Sequence, residues 1–323
     1  MTIWALIMSN KYTGDDLTVL IPTKDRPEKV HNLLRSLNKQ TTKVRRIIVV
    51  DGGDSVENIL DDFTSLPVEH HLSDIPGQIH QRNLGISKID TPIVIFFDDD
   101  IVLEEKAVEE VLRLWNNSSE KVAAISFNIT NTPKWNPNKF LTFFRVLPDA
   151  NGRMLSSGYA TPITNIGNKI IKTDWVIGGA TSWKTDVLKR HPQKEINTPW
   201  AVNEDKMYSY PIGKNYTFYV CGYARVRHEH VVDQYKKNGN ADYFKRGFYS
   251  SVWRVYFVSL HNELSIFGCT KVEFARIIVK LVNAITRLDR SKLLEAKGLF
   301  FGVVKALLYL YKKQSLLGLI DNK

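Results

Sequence analysis

Residues 93–100 read Ile-Val-Ile-Phe-Phe-Asp-Asp-Asp. A β-branched and aromatic run with no polar interruption predicts a strand covered on both faces, and the carboxylates that end it stand where such a strand leaves its sheet. The pattern recurs upstream. Leu17 to Ile21 is another apolar run, followed by Pro27 at a first helical turn and by Val30, Leu33, Leu34 and Leu37 at helical spacing. Ile47 to Val50 is a third, stopped by Asp51-Gly52-Gly53. A short helix near 55–63, a strand near 67–72 and a helix opened by Pro76-Gly77 and running to Ile89 fill the interval. Downstream, a helix over about 104–115 leads to a strand from Val122 to Phe127. Strands alternating with helices predict an α/β fold with a mostly parallel, doubly wound sheet.

Ligands of such sheets bind beyond the carboxyl ends of the strands. Polar residues gather there in this chain: Thr23-Lys24-Asp25-Arg26, Asp51 and Asp98-Asp99-Asp100. Three adjacent carboxylates repel one another unless a cation sits among them. Oxygen ligands of this kind suit Mg2+ or Mn2+, and such ions also hold substrate phosphates. Alternate residues of an extended stretch point the same way, so Asp98 and Asp100 converge while Asp99 faces elsewhere. The competing reading is a solvated acidic turn capping the next helix.

A chain of 323 residues that is 43% hydrophobic and 24% charged is neither disordered nor fibrous. Two cysteines, Cys221 and Cys269, exclude a disulfide scaffold and a Cys-rich zinc module, and they suit a reducing compartment. From about 130 to 175, prolines with many Asn and Thr residues predict loops and short strands that shape a binding face. A helix at about 203–213, two short strands over 216–228 and a wholly helical chain beyond 240 follow. The net charge of +10 is uneven: residues 225–323 hold 18 Lys/Arg against 8 Asp/Glu, and the first 224 residues balance.

Six motifs, in order, resemble those of the family-2 inverting glycosyltransferases of the GT-A fold. Leu17 to Arg26 (LTVLIPTKDR) is similar to that family's opening strand and nucleotide-binding turn, and Ile47 to Gly53 (IIVVDGG) to its second strand. Gly77 to Ile86 (GQIHQRNLGI) resembles its helix bearing an Arg-Asn pair, and Phe96 to Asp100 (FFDDD) its Asp-any-Asp metal motif. Gly178-Gly179-Ala180 and Asn203-Glu204-Asp205 are similar to its donor-sugar loop and catalytic Glu-Asp pair. The resemblance spans about residues 17–230. It implies a GT-A catalytic domain over 1–230 and leaves 231–323 as a basic, amphipathic helical region.

The resemblance also implies roles. Pro22, Thr23, Arg26, Asp51, Arg82, Asp98 and Asp99 would line the nucleotide. Asp98 and Asp100 would hold Mg2+ or Mn2+, with His228 of Arg-Val-Arg-His-Glu-His completing the site and His230 a weaker candidate. Asp205, beside Glu204, would be the general base, and Gly178, Gly179 and Ala180 would meet the sugar. Trp175, Trp183 and Trp200 flank that region, either as a stacking platform for the acceptor or as core. Histidines 31, 70, 71, 80, 191 and 261 read as structural. Two departures leave base selectivity open: Gly52-Gly53 follows Asp51 where the family often has a second acidic or Ser residue, and Lys24 stands where an aromatic is common.

The implied enzyme takes a sugar from a nucleotide-sugar donor to a hydroxyl of a glycan or lipid-linked glycan. No covalent nucleophile is arranged, as inversion requires. A sugar nucleotidyltransferase needs a Gly-rich, Arg-containing turn after its first strand, and Ile-Pro-Thr-Lys-Asp-Arg has no glycine. A nucleic-acid-binding protein is disfavoured because the positive charge avoids the sheet domain.

Residues 243–261 carry seven aromatics with Lys245, Arg246 and Arg254. In the next helix Phe274, Ile277, Ile278, Leu281, Val282 and Ile285 form a stripe, with Arg276, Lys280 and Arg287 off it. Basic, aromatic helices too short or too charged to span predict a surface resting on an anionic membrane through 243–313. The alternative is a packed subdomain with a solvated basic face. The apolar stretch Ile3 to Met8 is shorter than a signal-peptide core, so the expected location is cytoplasmic, peripheral on the inner face of the cell membrane.

Overall fold

The computed structural model describes residues 11–53, 56–75, 77–133, 150–195, 203–229 and 240–320, with side chains from 243 onward in the last segment. The described chain forms two compact units. The first comprises Met1–Pro133, Thr164–Lys194 and Ile212–Glu229, and the second Lys134–Ile163, Glu195–Pro211 and His230–Lys323.

The first unit is built on one nine-stranded sheet. Its strands are β1 (Leu17–Thr23), β2 (Arg46–Asp51), β3 (Val68–Leu72), β4 (Ile93–Phe97), β5 (Ile101–Leu103), β6 (Val122–Ile129), β7 (Ile170–Thr173), β8 (Ala180–Lys184) and β9 (Thr217–His228). They run in the order β3-β2-β1-β4-β8-β6-β9-β5, with β7 also paired to β9. Pairing from β3 through β4 is parallel, and so is β6 with β9. The chain lays β2 and β3 on one side of β1 and then crosses to place β4 on the other. That reversal opens a crevice at the carboxyl ends of β1 and β4. The sheet is α/β as the alternation predicts, but β8 lies antiparallel between β4 and β6, and β5 and β7 are antiparallel to β9.

The apolar runs explain the strands. Every residue of β1 and β4 is buried. Helices α1 (Pro27–Asn38), α2 (Glu57–Leu60), α3 (Gln78–Ser87), α4 (Ala107–Asn116) and α5 (Thr185–Arg190) follow strands of this unit. The spaced Val30, Leu33, Leu34 and Leu37 of α1 and Val108, Val111 and Trp115 of α4 share one core with Val19, Ile21, Ile95 and Phe97. The sequence predicts two short strands over 216–228, and the structure joins them into β9. The partner of Phe127 is Cys221 while that of Asn128 is Arg225, so the extra residues bulge out without ending the strand. Asn128 supports that bulge by donating to the Gly222 carbonyl at 3.1 Å. Strands β5, β7 and β8 are too short to declare themselves by periodicity.

The second unit holds the first turns of α6 (Glu204–Gly213), then α7 (Asn240–Ser259), α8 (Ile266–Thr286), α9 (Arg290–Tyr311) and α10 (Leu317–Ile320). Val252, Trp253, Val255 and Phe257 of α7 pack with Cys269 and Ile277 of α8 and with Leu299, Val303 and Ala306 of α9. Close approach of α7 and α9 depends on glycine: a Cβ at Gly298 would lie 2.1 Å from the Phe244 carbonyl oxygen, and one at Gly302 would lie 2.4 Å from that of Phe248.

Helix α8 is turned the opposite way from a solvated amphipathic helix. Arg276 and Lys280, which the sequence places off the apolar stripe, point inward to Glu273 and to Glu295 of α9, at 2.6 Å each. Phe267, Phe274, Ile278, Val282 and Ile285 are exposed instead. The inward ion pairs explain the reversal, because a buried charge is tolerated only when it is paired. Among the described residues no helix is long and apolar enough to cross a membrane. Both cysteines are free and buried.

Candidate active site

Asp98, Asp99 and Asp100 leave β4 in three directions, each with its own partners. Asp98 Oδ1 accepts from Arg82 Nη2 at 2.8 Å and from Gln78 Nε2 at 2.5 Å. Arg82 is buried, stands over the Phe96 ring at 5.6 Å and also donates to the Gly178 carbonyl at 3.2 Å. Charge-assisted bonds of this kind are short and about twice as strong as neutral ones. The Asp98 N–H donates to the Gly179 carbonyl at 2.9 Å. A Cβ at Gly179 would fall 2.1 Å from Asp98 Oδ2, so only glycine lets this loop pass the carboxylate.

Asp99 points back to the turn after β1. It accepts from Thr23 Oγ1 at 2.8 Å and from Arg26 Nη1 at 3.2 Å. Burial pushes its carboxyl above the usual carboxylate range, opposed by the Thr23 bond and by Arg26. Asp99 thus ties the β1 turn to the acidic strand end.

Asp100 faces His228, the last residue of β9, with His228 Nε2 at 2.7 Å from Asp100 Oδ1. Burial pushes the Asp100 carboxyl up, yet His228 holds it below its ordinary value, and Asp100 in turn raises the imidazole. The antiparallel pairing of β5 with β9 sets Ile101 opposite His228 and so delivers the histidine. Asn131 fixes that strand end by donating to the His228 carbonyl at 2.9 Å and accepting from its N–H at 3.0 Å.

Ligand atoms of Asp98, Asp100 and His228 lie within 4.8 Å of one another. Asp100 Oδ1 is buried and has no aligned hydrogen-bond donor among the described residues, which is the condition of a carboxylate oxygen arranged to meet a cation. Two carboxylates with one imidazole fit a divalent ion. The nitrogen ligand suits Mn2+ better than Mg2+, which takes oxygen almost throughout.

The rest of the nucleotide set lies along the same edge. Pro22 and Thr23 end β1 opposite Val50 and Asp51 of β2. Asp51 is buried; its Oδ1 accepts from the Gly53 N–H at 2.9 Å, and its Oδ2 lies 3.6 Å from His70 Nε2 with neither atom in a hydrogen bond. A Cβ at Gly53 would meet Asp25 Oδ1 at 2.2 Å, and Asp25 itself has φ of 54°, so the two turns are tightly nested. Gln81 donates to the carbonyls of Thr23 at 2.6 Å and Val50 at 2.8 Å, bridging them. Sequence reasoning missed Gln78, Gln81, His70 and Asn131. The first two were readable: Gln78, Gln81 and Arg82 stand at i, i+3 and i+4 on one face of α3.

Trp175 and Trp183 are buried, Trp183 edge-on to Phe218 at 5.4 Å, which is core packing rather than a stacking surface. Ala180 starts β8. Glu204 and Asp205 open α6, on a segment of the second unit. Asn203 precedes them with φ of 66°, a left-handed conformation that Asn tolerates, and its carbonyl accepts from Met207 N at 3.0 Å. Trp200 and His230 lie outside the described residues.

The family model of glycosyl transferase family 2 matches residues 18–178. The teichoic acid poly(glycerol phosphate) polymerase of Staphylococcus epidermidis is 26% identical over 125 residues, covering 37% of this chain and 17% of that protein. The beta-1,4 N-acetylgalactosaminyltransferase 2 of Mus musculus is 33% identical over 97 residues, 30% of this chain and 18% of that one. The chain therefore spans under a fifth of the length of these relatives. Among solved structures, the mannosyltransferase PcManGT from Pyrobaculum calidifontis, in complex with GDP-Man and Mn2+, aligns with a TM-score of 0.55 at 13% identity, over 94% of this chain and 89% of that one. GalNAc-T7 with UDP, GalNAc and Mn2+ aligns with a TM-score of 0.56 at 13% identity, over 93% of this chain and 58% of that one. With its acidic strand end, its crevice and its strand order, the chain has the GT-A fold and belongs to glycosyl transferase family 2.

Proposed function

We propose that this chain is a metal-dependent, inverting glycosyltransferase that moves a sugar from a nucleotide-sugar donor to a hydroxyl of a glycan or lipid-linked acceptor, with the sheet unit as its nucleotide-binding part. The observation that carries this reading is the convergence of Asp98, Asp100 and His228 within 4.8 Å, beside the buried Arg82. Asp98, Asp100 and His228 would hold Mn2+ or Mg2+, and a bound divalent ion neutralises charge on a departing diphosphate. Arg82, fixed by Asp98 and Gly178, holds positive charge next to that position, where a leaving nucleotide gains negative charge. Asp51, with an oxygen that lacks a hydrogen bond, suits a ribose hydroxyl or base N–H. Asp205 would take the acceptor proton, and no covalent intermediate is needed.

The test is turnover of a panel of sugar nucleotides by the full chain with a mixed glycan and lipid-linked acceptor pool. Chelation by EDTA is expected to abolish transfer and added Mn2+ to restore it. Undiminished transfer in EDTA overturns the metal assignment.

The outward apolar stripe of α8, in a stretch (225–323) with 18 Lys/Arg against 8 Asp/Glu, supports docking on an anionic membrane. Changing Phe274, Ile278 and Ile285 together to serine is expected to weaken binding to phosphatidylglycerol vesicles by roughly tenfold or more, since each buried side chain of this size contributes about 1.5–3 kcal/mol. All three are already exposed, so melting should stay close to wild type. Equal vesicle binding by both proteins removes the membrane reading.

A further inference from the structure

Helices α7 and α9 enclose a groove of about 560 Å³ in the second unit. Its walls are largely aromatic. Phe244 and Phe248 of α7 stack at 6.4 Å, Phe244 meets Phe301 of α9 at 6.2 Å, and Tyr249 stands edge-on to Phe248 at 5.4 Å. Val304 and Leu308 continue the α9 wall one and two turns beyond Phe301. Phe301 and Leu308 are each about half exposed. The groove runs beside the contacts of Gly298 and Gly302 with the Phe244 and Phe248 carbonyls, so both walls are fixed by touching backbones.

Two lysines complete the lining. Lys245 and Lys305 are exposed, and Lys305 Nζ lies 5.9 Å from the centre of the Phe248 ring. A lysine so placed lays its stem along the apolar wall and keeps its ammonium in water. Lys280 of α8 is paired with Glu295, but these two lysines are not paired. Among the described residues neither Lys245 nor Lys305 has an ion pair or a side-chain hydrogen bond, and none of the eight lining residues is acidic. The groove is therefore apolar along its walls and carries uncompensated positive charge. A complementary ligand has a hydrocarbon body and an anionic end. Size separates a lipid from a protein partner. A stable protein interface takes about 20–30 residues a side, whereas eight residues around 560 Å³ fall within the roughly 300–1,000 Å³ of small-molecule sites.

We infer that this groove binds the hydrocarbon chain of a single anionic lipid, with Lys245 and Lys305 meeting its head group. It is lined by α7 and α9 alone and is distinct from the outward stripe of α8. Neither wall belongs to the sheet unit, so lipid binding stands apart from the transfer reaction proposed above.

The experiment titrates the full chain by calorimetry with dodecyl phosphate, below its micelle concentration and in metal-free buffer. Dodecyl maltoside carries the same chain on an uncharged head and serves as the control. Saturable binding of one dodecyl phosphate is expected, with dodecyl maltoside weaker by about tenfold. Leu308→Ser should weaken both ligands by roughly tenfold or more, the worth of one covered apolar side chain. Lys245→Gln and Lys305→Gln together should weaken dodecyl phosphate by about tenfold, roughly threefold for each exposed ion pair, and leave dodecyl maltoside unchanged. All three residues are exposed, so melting should match wild type. The triple serine variant of the α8 stripe should bind as wild type does. No saturable binding, or wild-type affinity in both groove variants, overturns the site. Loss in the α8 variant alone also overturns it and moves the lipid to that stripe. A wild-type dimer that Leu308→Ser dissociates, with no lipid bound, gives the groove to a second copy instead. A chain that binds dodecyl phosphate here yet turns over no sugar nucleotide keeps the groove and overturns the transferase.

Discussion

Replacing Asp205 with asparagine is expected to lower sugar transfer by about 10²–10⁴-fold, the usual worth of a positioned general base. The amide keeps the size and hydrogen-bonding reach of the carboxylate but cannot take a proton at neutral pH. Binding of the donor nucleotide should persist, because Thr23, Arg26, Asp51, Arg82 and the Asp98–Asp100–His228 cluster belong to the sheet unit and are untouched. Stability should fall little: a first-turn carboxylate of α6 contributes only about 0.3–1 kcal/mol through the helix dipole. The measurement pairs initial transfer rates with nucleotide titration and a melting curve. Near wild-type turnover with intact nucleotide binding would reject Asp205 as the base. Equal loss of turnover and nucleotide binding would instead point to damage spreading from α6.

Much of this site was legible because its parts are strand ends. The run Ile93 to Phe97 is unbroken, and all of it is buried in β4, so the position of Asp98 at a crevice followed from hydrophobicity alone. His228 was harder. Its place beside Asp100 depends on β5, a strand of three residues whose antiparallel pairing with β9 no periodicity announces. Gly179 needed contact information, since its lack of a Cβ matters only once Asp98 is known to pass beside it. The helical region shows the opposite failure. Hydrophobic spacing located α8 but left open which side faces in, because a period does not say which stripe is inward. The choice was made by Glu273 and Glu295, which draw Arg276 and Lys280 inward.

Glu273 therefore carries the second large effect, on folding rather than catalysis. Glu273→Gln keeps the volume and the bond from Ser251 but removes the buried negative charge that Arg254 and Arg276 share. Breaking a buried pair from one side leaves uncompensated charge in the interior and costs about 3–5 kcal/mol. Urea unfolding followed by helical circular dichroism should show that loss. The pH dependence has a defined sign. Burial raises the Glu273 carboxyl, but Arg276 and Arg254 outweigh it and leave the group below its ordinary value of 4.5. Its stabilising contribution is complete above that value and disappears as the pH falls through the lowered one, so the glutamine variant should lack this part of the acid transition.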